Sequence, residues 1–245
     1  MLSAVLFDLG GTLVYQDDPQ GVREARLRNL NRSLRDRGHK IEFSRMRRVF
    51  DEVFKPVYSH CEQTDTEVPL EEPFKEFLAK LAIPAFGDPQ FIQDALADFL
   101  KPEIESWKLY PDATMLMSTL KDMSLKLGLV SNASSNMVIT VIIDRLNIAR
   151  FFDIIVTSAQ LRLRKPRPEV FNKALESLRV NSNESVMVGD TIKGDIGGAK
   201  SLGMKAILVK RANSETDEGP DPDAVVRSLA DVIPIVKNWI GQKAC

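Results

Sequence analysis

Apolar runs that stop on a polar residue recur along this chain, and that recurrence restricts its fold more than any other feature. Ala4 to Phe7 stops at Asp8, Leu127 to Val130 at Ser131-Asn132, Phe152 to Val156 near Thr157-Ser158, and Val186 to Val188 at Gly189-Asp190-Thr191. Ala206 to Val209 and a short Val225-Val226 follow. Helical periodicity fills the gaps. Tyr110-Pro111-Asp112 opens a segment with Met115, Leu116, Leu120 and Met123, and another carries Val138, Val141, Ile142 and Leu146. Further helices cover Val170 to Leu178, Ala199 to Leu202 and Leu229 to Ile240. Continuously apolar strands are buried on both faces, and strands alternating with helices build a parallel sheet wound on both sides. The expected fold class is α/β, a doubly wound parallel sheet.

One long stretch breaks the alternation. Residues 16–105 offer no strand candidate. Val22, Leu27, Leu30 and Leu34 form a stripe ended by Gly38. Ser44 stands where it would cap a second helix bearing Met46, Val49, Phe50, Val53 and Phe54, which Pro56 ends or kinks. Glu62 to Pro69 reads as a polar loop. Phe74, Phe77, Leu78 and Leu81 mark a third helix closed by Pro84, and Asp88-Pro89 opens a fourth with Phe91, Leu96, Phe99 and Leu100. An all-helical domain over 16–105 is expected, inserted into an α/β core made of 1–15 and 106–245.

Composition removes several function classes. No apolar run approaches the ~20 residues needed to span a bilayer, so no membrane role is expected. The N-terminal run lacks a preceding basic region and carries Asp8, which argues against a signal peptide. Two cysteines, Cys61 and Cys245, exclude a disulfide framework and fit the cytoplasm. A net charge of −1 gives no pull toward nucleic acid. From Arg23 to Arg48, however, ten Lys/Arg face three acidic residues. That local excess reads as a solvated helix face, or as a basic rim that attracts an anionic substrate.

The polar residues at the strand ends are complementary in kind. In an open α/β sheet, residues past the carboxyl ends of the strands face one crevice, which would gather Asp8, Ser131, Asn132, Lys165, Asp190 and Asp195. Gly10 and Gly11 allow a tight turn that brings N–H groups to an anion. A carboxylate beside such amides is misplaced as a phosphate binder and makes sense as a nucleophile or a metal ligand. Two or three carboxylates suit Mg²⁺, while a hydroxyl, an amide and an ammonium can hold phosphoryl oxygens.

With these motifs in order, FDLGGTL (7–13), LVSNAS (129–134), RKPRPEVF (164–171) and VGDTIKGDIGGAKSLGM (188–204), the chain resembles the haloacid dehalogenase superfamily over nearly its whole length. The helical insertion looks like that family's cap. The resemblance implies roles residue by residue. Asp8 matches the nucleophile that forms an aspartyl-phosphate, and Lys165 the lysine that orients it. Leu9, Gly10, Ser131, Asn132 and Lys165 would hold the phosphoryl group. Asp8, the Gly10 carbonyl, Asp190 and Asp195 would form the Mg²⁺ site, with Asp195 in support.

One departure matters. The family's phosphatases carry a second aspartate two residues after the nucleophile, which acts as general acid and base, and Gly10 stands there instead. Losing such a group typically costs about 10²–10⁴-fold. Two branches lack it naturally, the metal-independent 2-haloacid dehalogenases and the phosphonatases with a cap lysine. Lys40, Lys55, Lys75 and Lys80 all read as exposed, and His39 and His60 as bystanders. Trp107 and Tyr110 read as packing residues at the junction, and Asp17 and Asp18 as solvated residues that could still swing in as a substitute acid. The expected activity is Mg²⁺-dependent hydrolysis of a small phosphorylated metabolite by a monomer or homodimer, biased toward good leaving groups. A non-catalytic phospho-ligand binder and a dehalogenase are the alternatives.

Overall fold

The computed structural model describes residues 1–83, 88–211 and 218–241. In chain order it runs β1 (Ala4–Phe7), β2 (Val14–Tyr15), α1 (Pro19–Asp36), α2 (Phe43–Thr64), α3 (Glu71–Lys80), α4 (Pro89–Ser106), β3 (Lys108–Leu109) and α5 (Ala113–Asp122). There follow β4 (Lys126–Ser131), α6 (Asn136–Arg145), β5 (Ile154–Thr157), α7 (Ser158–Leu161), α8 (Pro168–Leu178), β6 (Ser185–Gly189), α9 (Gly198–Ser201), β7 (Lys205–Val209), β8 (Ala224–Val226) and α10 (Val232–Gly241). Six of the strands form one sheet in the order β5-β4-β1-β6-β7-β8, every pair parallel. β1 lies at its centre, so Asp8 leaves the sheet at its best-covered point.

Apolar clusters cover both faces of the sheet. On one, Val5, Phe7, Leu127 and Val188 pack with residues of α5 and α10. On the other, Ala4, Leu6, Val130 and Met187 pack with Val170, Phe171 and Leu175 of α8. A third cluster belongs to α1–α4, where Phe50, Phe54, Phe74, Phe77 and Phe99 form an aromatic centre of one stacked pair and several edge-on or tilted ones. Val138 and Ile142 of α6 enter this third cluster, so the helical cap is seated on the core through an apolar joint.

The chain passes between the two units at β2 and β3, which pair antiparallel as a two-residue ribbon. A second tie lies opposite. Residues 65–70 cross back against the core, with Glu67 N donating to Arg162 O at 3.0 Å, Leu70 N to Ser134 O at 2.8 Å and Arg164 N to Asp65 O at 2.9 Å.

Local expectations fared unevenly. Asp88 caps α4 by accepting from Phe91 N, and Gly38 takes φ +90° just past α1, as the turn chemistry requires. Pro56 does not stop α2, which continues to Thr64 and shortens the expected polar loop. The proline is on the exposed side, and Phe54 before it and Cys61 after it are both buried, so packing carries the helix past one lost hydrogen bond. Ser44 lies inside the first turn and donates to the Glu42 carboxylate, and Glu42 takes the capping position without a side-chain bond to the helix backbone. Met115 and Val141 lie on the expected helices, α5 and α6, and are exposed there. Pro84 and Cys245 lie outside the described residues. Among those described, no helix is long and apolar enough to cross a membrane.

Candidate active site

Asp8 follows β1, Ser131 ends β4, and Asp190 follows β6, so adjacent parallel strands present them side by side. Lys165 enters from the loop before α8. Its ammonium donates to Asp8 Oδ1 at 2.6 Å, Asp195 Oδ1 at 2.6 Å and Val130 O at 2.8 Å. All three of its donors are therefore used, at a side chain 3% exposed. Asn132 braces the same residue from behind, accepting from Lys165 N at 2.8 Å and donating to Lys165 O at 3.1 Å.

Asp195 is fully buried in a π-helical turn over Ile192–Gly197. Its second oxygen accepts from Thr191 N at 3.0 Å and Thr191 Oγ1 at 2.7 Å. Both oxygens are engaged, and Asp195 does not line the cavity, whereas Asp8 and Asp190 do. The loop after Asp8 is held as tightly. Gly11 has φ +79°, and a Cβ there would stand 2.0 Å from Asp190 Oδ2, so only glycine fits. Thr12 reaches Asp190 Oδ1 through a long hydrogen bond of 3.4 Å. Arg211 lies over the Tyr110 ring at 3.7 Å and donates to the carbonyl of Thr12 at 3.1 Å.

Three carboxylates here offer oxygens within 4.8 Å of one another, against one ammonium. Burial pushes Asp8 up to about 6, with Lys165 opposing the rise and Asp195 adding to it. Asp190 is pushed up to about 7 by burial, then by Asp8 and Asp195. Burial works against the Lys165 charge too, yet Asp195 and Asp8 outweigh it and hold the ammonium well above the usual lysine range.

These groups form one wall of a cavity of roughly 500 Å³ between core and cap. Leu9, Gly10, Ser131 and Asn132 lie on that wall with Asp8, Lys165 and Asp190. Arg26, Tyr58, Glu67, Glu103, Trp107 and Arg164 complete the lining, with Leu70, Leu100, Val138, Ile139 and Ile142. Two ion pairs span this side, Arg26–Glu103 at 2.7 Å and Arg164–Glu67 at 2.7 Å. Glu67 is 4% exposed and also accepts from Ser158 Oγ at 2.6 Å.

Trp107 does more than pack at the junction. Its Cη2 lies 3.3 Å from where a Cβ on Gly10 would stand, so the indole fills the side-chain space of position 10. Gly10 itself is outside the left-handed region, and the neighbouring ring rather than the backbone is what an aspartate would meet. Asp17 and Asp18 are elsewhere. Asp18 caps α1 through Gly21 N, and Asp17 pairs with Lys108 on the surface. Lys40, Lys55, Lys75 and Lys80 are exposed, and none of them, nor His39 or His60, lines the cavity.

The basic segment resolves into two behaviours. Arg23, Arg28 and Arg37 form exposed or half-exposed ion pairs with Asp51, Glu24 and Asp98, a solvated face. Arg26 turns inward, over the Phe99 ring at 4.1 Å. A signal for it existed: Val22, Arg26 and Leu30 are spaced by four, which puts a charge on the apolar stripe of α1. Glu103 likewise follows Phe99 by four on α4.

The family model of the haloacid dehalogenase-like hydrolases matches residues 2–203, and the chain belongs to that family. It is 28% identical over 239 residues to a glyceraldehyde 3-phosphate phosphatase of Methanocaldococcus jannaschii, covering 97% of this chain and 98% of the relative. Among solved structures it superposes on a HAD phosphatase from Thermococcus onnurineus (TM-score 0.66, 24% identity, 96% and 98% coverage). It also superposes on a 2-haloacid dehalogenase from Pseudomonas syringae (TM-score 0.73, 22% identity, 98% and 100% coverage). Identities this low establish the α/β fold with its helical cap and leave the chemistry to the site.

Proposed function

We propose that the protein is a phosphohydrolase of small phosphate monoesters or acyl phosphates, acting through a phosphoryl group carried on Asp8. The observation that carries this reading is the arrangement of Lys165 between Asp8 and Asp195, with Asp190 beside Asp8 on the same wall of the cavity. The near-full-length likeness to a named phosphatase supports it.

The residues present fit Mg²⁺. Asp8, Asp190 and the Gly10 carbonyl are the ligands we assign, with Asp195 holding Lys165 and Thr191 behind them. An excess of buried carboxylate over ammonium, with Asp8 and Asp190 both pushed up, is the charge imbalance a divalent cation relieves. When bound, Mg²⁺ supplies neutralisation of the phosphoryl charge. Such a requirement separates this reading from a dehalogenase, whose displacement of halide needs no metal.

Asp8 then attacks phosphorus in line with the departing oxygen. Lys165 holds Oδ1 of the nucleophile and spreads the charge that develops beside it. Water, admitted next, attacks phosphorus again and releases inorganic phosphate. The cap keeps bulk water out of the first step. With no carboxyl at Gly10, the leaving oxygen departs on its own stability, so aryl and acyl phosphates should far outpace sugar phosphates. Phosphate release over a metabolite panel, with and without Mg²⁺, tests the proposal. Release that needs Mg²⁺ is expected. Halide release from 2-haloacids with no phosphate release from any compound would overturn it.

A further inference from the structure

Glu67 is a buried charge at the seam between cap and core. It belongs to the segment 65–70 between α2 and α3, is 4% exposed, and has Arg164 as its ion-pair partner. A buried ion pair is weak evidence for stability, because apolar groups of the same volume often serve as well. Its value lies in geometry, since charge-assisted hydrogen bonds fix direction and distance.

That geometry reaches both loops that carry the phosphoryl-binding residues assigned above. Glu67 Oε2 accepts from Arg164 Nη1 at 2.7 Å, one residue before Lys165. The same oxygen accepts from Ser158 Oγ at 2.6 Å, and Ser158 Oγ accepts from Ala133 N at 2.8 Å, one residue after Asn132. Ser158 has a single proton and a second acceptor within reach, Ala133 O at 3.1 Å, but the closer and charged oxygen has the stronger pull on it. Backbone bonds run alongside. Thr66 bridges Leu163, Arg164 N donates to Asp65 O at 2.9 Å, and Leu70 N donates to Ser134 O at 2.8 Å. Asn132 ties these two loops together from the core side, through Lys165 N and O. Glu67 ties them a second time, from the cap.

We propose that Glu67 is a positioning residue, which holds the loops bearing Ser131 and Lys165 at the spacing a phosphoryl group requires. The inference rests on the phosphohydrolase reading and goes beyond it. The grip on the phosphoryl group is set in part by a cap side chain that acts through Ser158 and Arg164. A misplacement of about 1 Å at such a site can cost about 10²-fold in rate. Glu67 also lines the cavity, so a direct contact with the rest of the substrate is the rival role.

Inorganic phosphate separates the two roles, because it has nothing beyond the phosphoryl group. Its inhibition constant against acetyl phosphate hydrolysis is measured with Mg²⁺ for the wild type, Glu67→Leu, Glu67→Gln and Ser158→Ala, each checked for folding by melting temperature. Glu67→Leu should weaken phosphate binding about tenfold. Glu67→Gln, whose amide oxygen still accepts from both donors, should recover most of that loss. Ser158→Ala should lose about threefold, and the double variant Glu67→Leu/Ser158→Ala less than the product of the two losses, since they share one connection. Phosphate binding unchanged in Glu67→Leu overturns the proposal and leaves the phosphohydrolase standing. A raised KM for acetyl phosphate would then make Glu67 a substrate contact, and a lowered melting temperature alone would make it structural. Should Glu67→Leu fail to fold, Ser158→Ala carries the test, and unchanged phosphate binding there overturns the proposal. A wild type that releases phosphate from no compound removes the phosphohydrolase reading, and this inference with it.

Discussion

The two walls of the cavity are built on opposite principles. On the core wall the groups around Asp8 are paired: Lys165 spends all its donors, Asp195 behind it both its oxygens, and Asn132 bonds Lys165 twice. On the cap side, the Arg26–Glu103 pair stands among apolar side chains, and Arg26 Nε is left without a partner. A fully satisfied network is rigid, which suits a nucleophile that must be aimed. On the proposed function, reaction type belongs to the sheet and selection to the cap.

The sharpest way to break this contrast is to remove a cation from each wall. Lys165→Met should leave Asp8 and Asp195 buried without their counter-ion, at a cost of about 3–5 kcal/mol in stability, and should abolish turnover. Arg26→Met, where the pair with Glu103 is 15% and 23% exposed, should cost less, about 1–3 kcal/mol. Urea unfolding of the two variants measures both. Equal losses would mean that the cap wall is as rigidly specified as the core wall.

Asp190→Asn should next weaken Mg²⁺ binding and depress activity by about 10²-fold or more, read as a rise in the Mg²⁺ concentration that half-saturates phosphate release. Unchanged activity in EDTA would remove the metal from the account.

A smaller effect joins the walls at Gly10. Gly10→Asp should gain little on alkyl phosphates, because the new side chain meets the Trp107 ring 3.3 Å from its own Cβ. Gly10→Asp with Trp107→Leu makes room, and alkyl-ester turnover should then rise about 10- to 100-fold, part of the general-acid contribution. If the single variant gains as much as the double, the indole is not what excludes the acid.

The smallest effect is on pH dependence. Asp8 and Asp190 have folded values near 6 and 7, above their ordinary 3.8. Their contribution to stability is therefore present below about pH 4 and lost as pH rises through 6 to 7. Mg²⁺ offsets that loss, so melting curves with and without it should coincide near pH 4 and separate toward pH 8. Parallel curves would mean that the carboxylates are not the metal site.

How much of this was legible in the sequence differs between the walls for a physical reason. Asp8, Ser131 and Asp190 stand at the ends of apolar strands, and period and position together gave their location. Lys165 came from its motif. The cap wall depends on which way helices turn. Arg26 and Glu103 each break an apolar stripe, a signal easily mistaken for surface charge. Arg211 lies 200 residues from the Gly11 carbonyl it contacts, and no local pattern connects them. The two-residue strands β2 and β3 are too short to show a period at all. Pro56 misled because packing on either side of it outweighs one lost hydrogen bond.

The central claim is that phosphoryl transfer passes through Asp8, and acid-quenched mass spectrometry tests it most directly. The protein is mixed with acetyl phosphate and Mg²⁺, stopped within one turnover and digested. One phosphoryl group should be found on the peptide that carries Asp8, absent when EDTA replaces Mg²⁺ and absent in Asp8→Asn. Steady phosphate release by the wild type with that peptide never modified, or release by Asp8→Asn at the wild-type rate, would contradict the account.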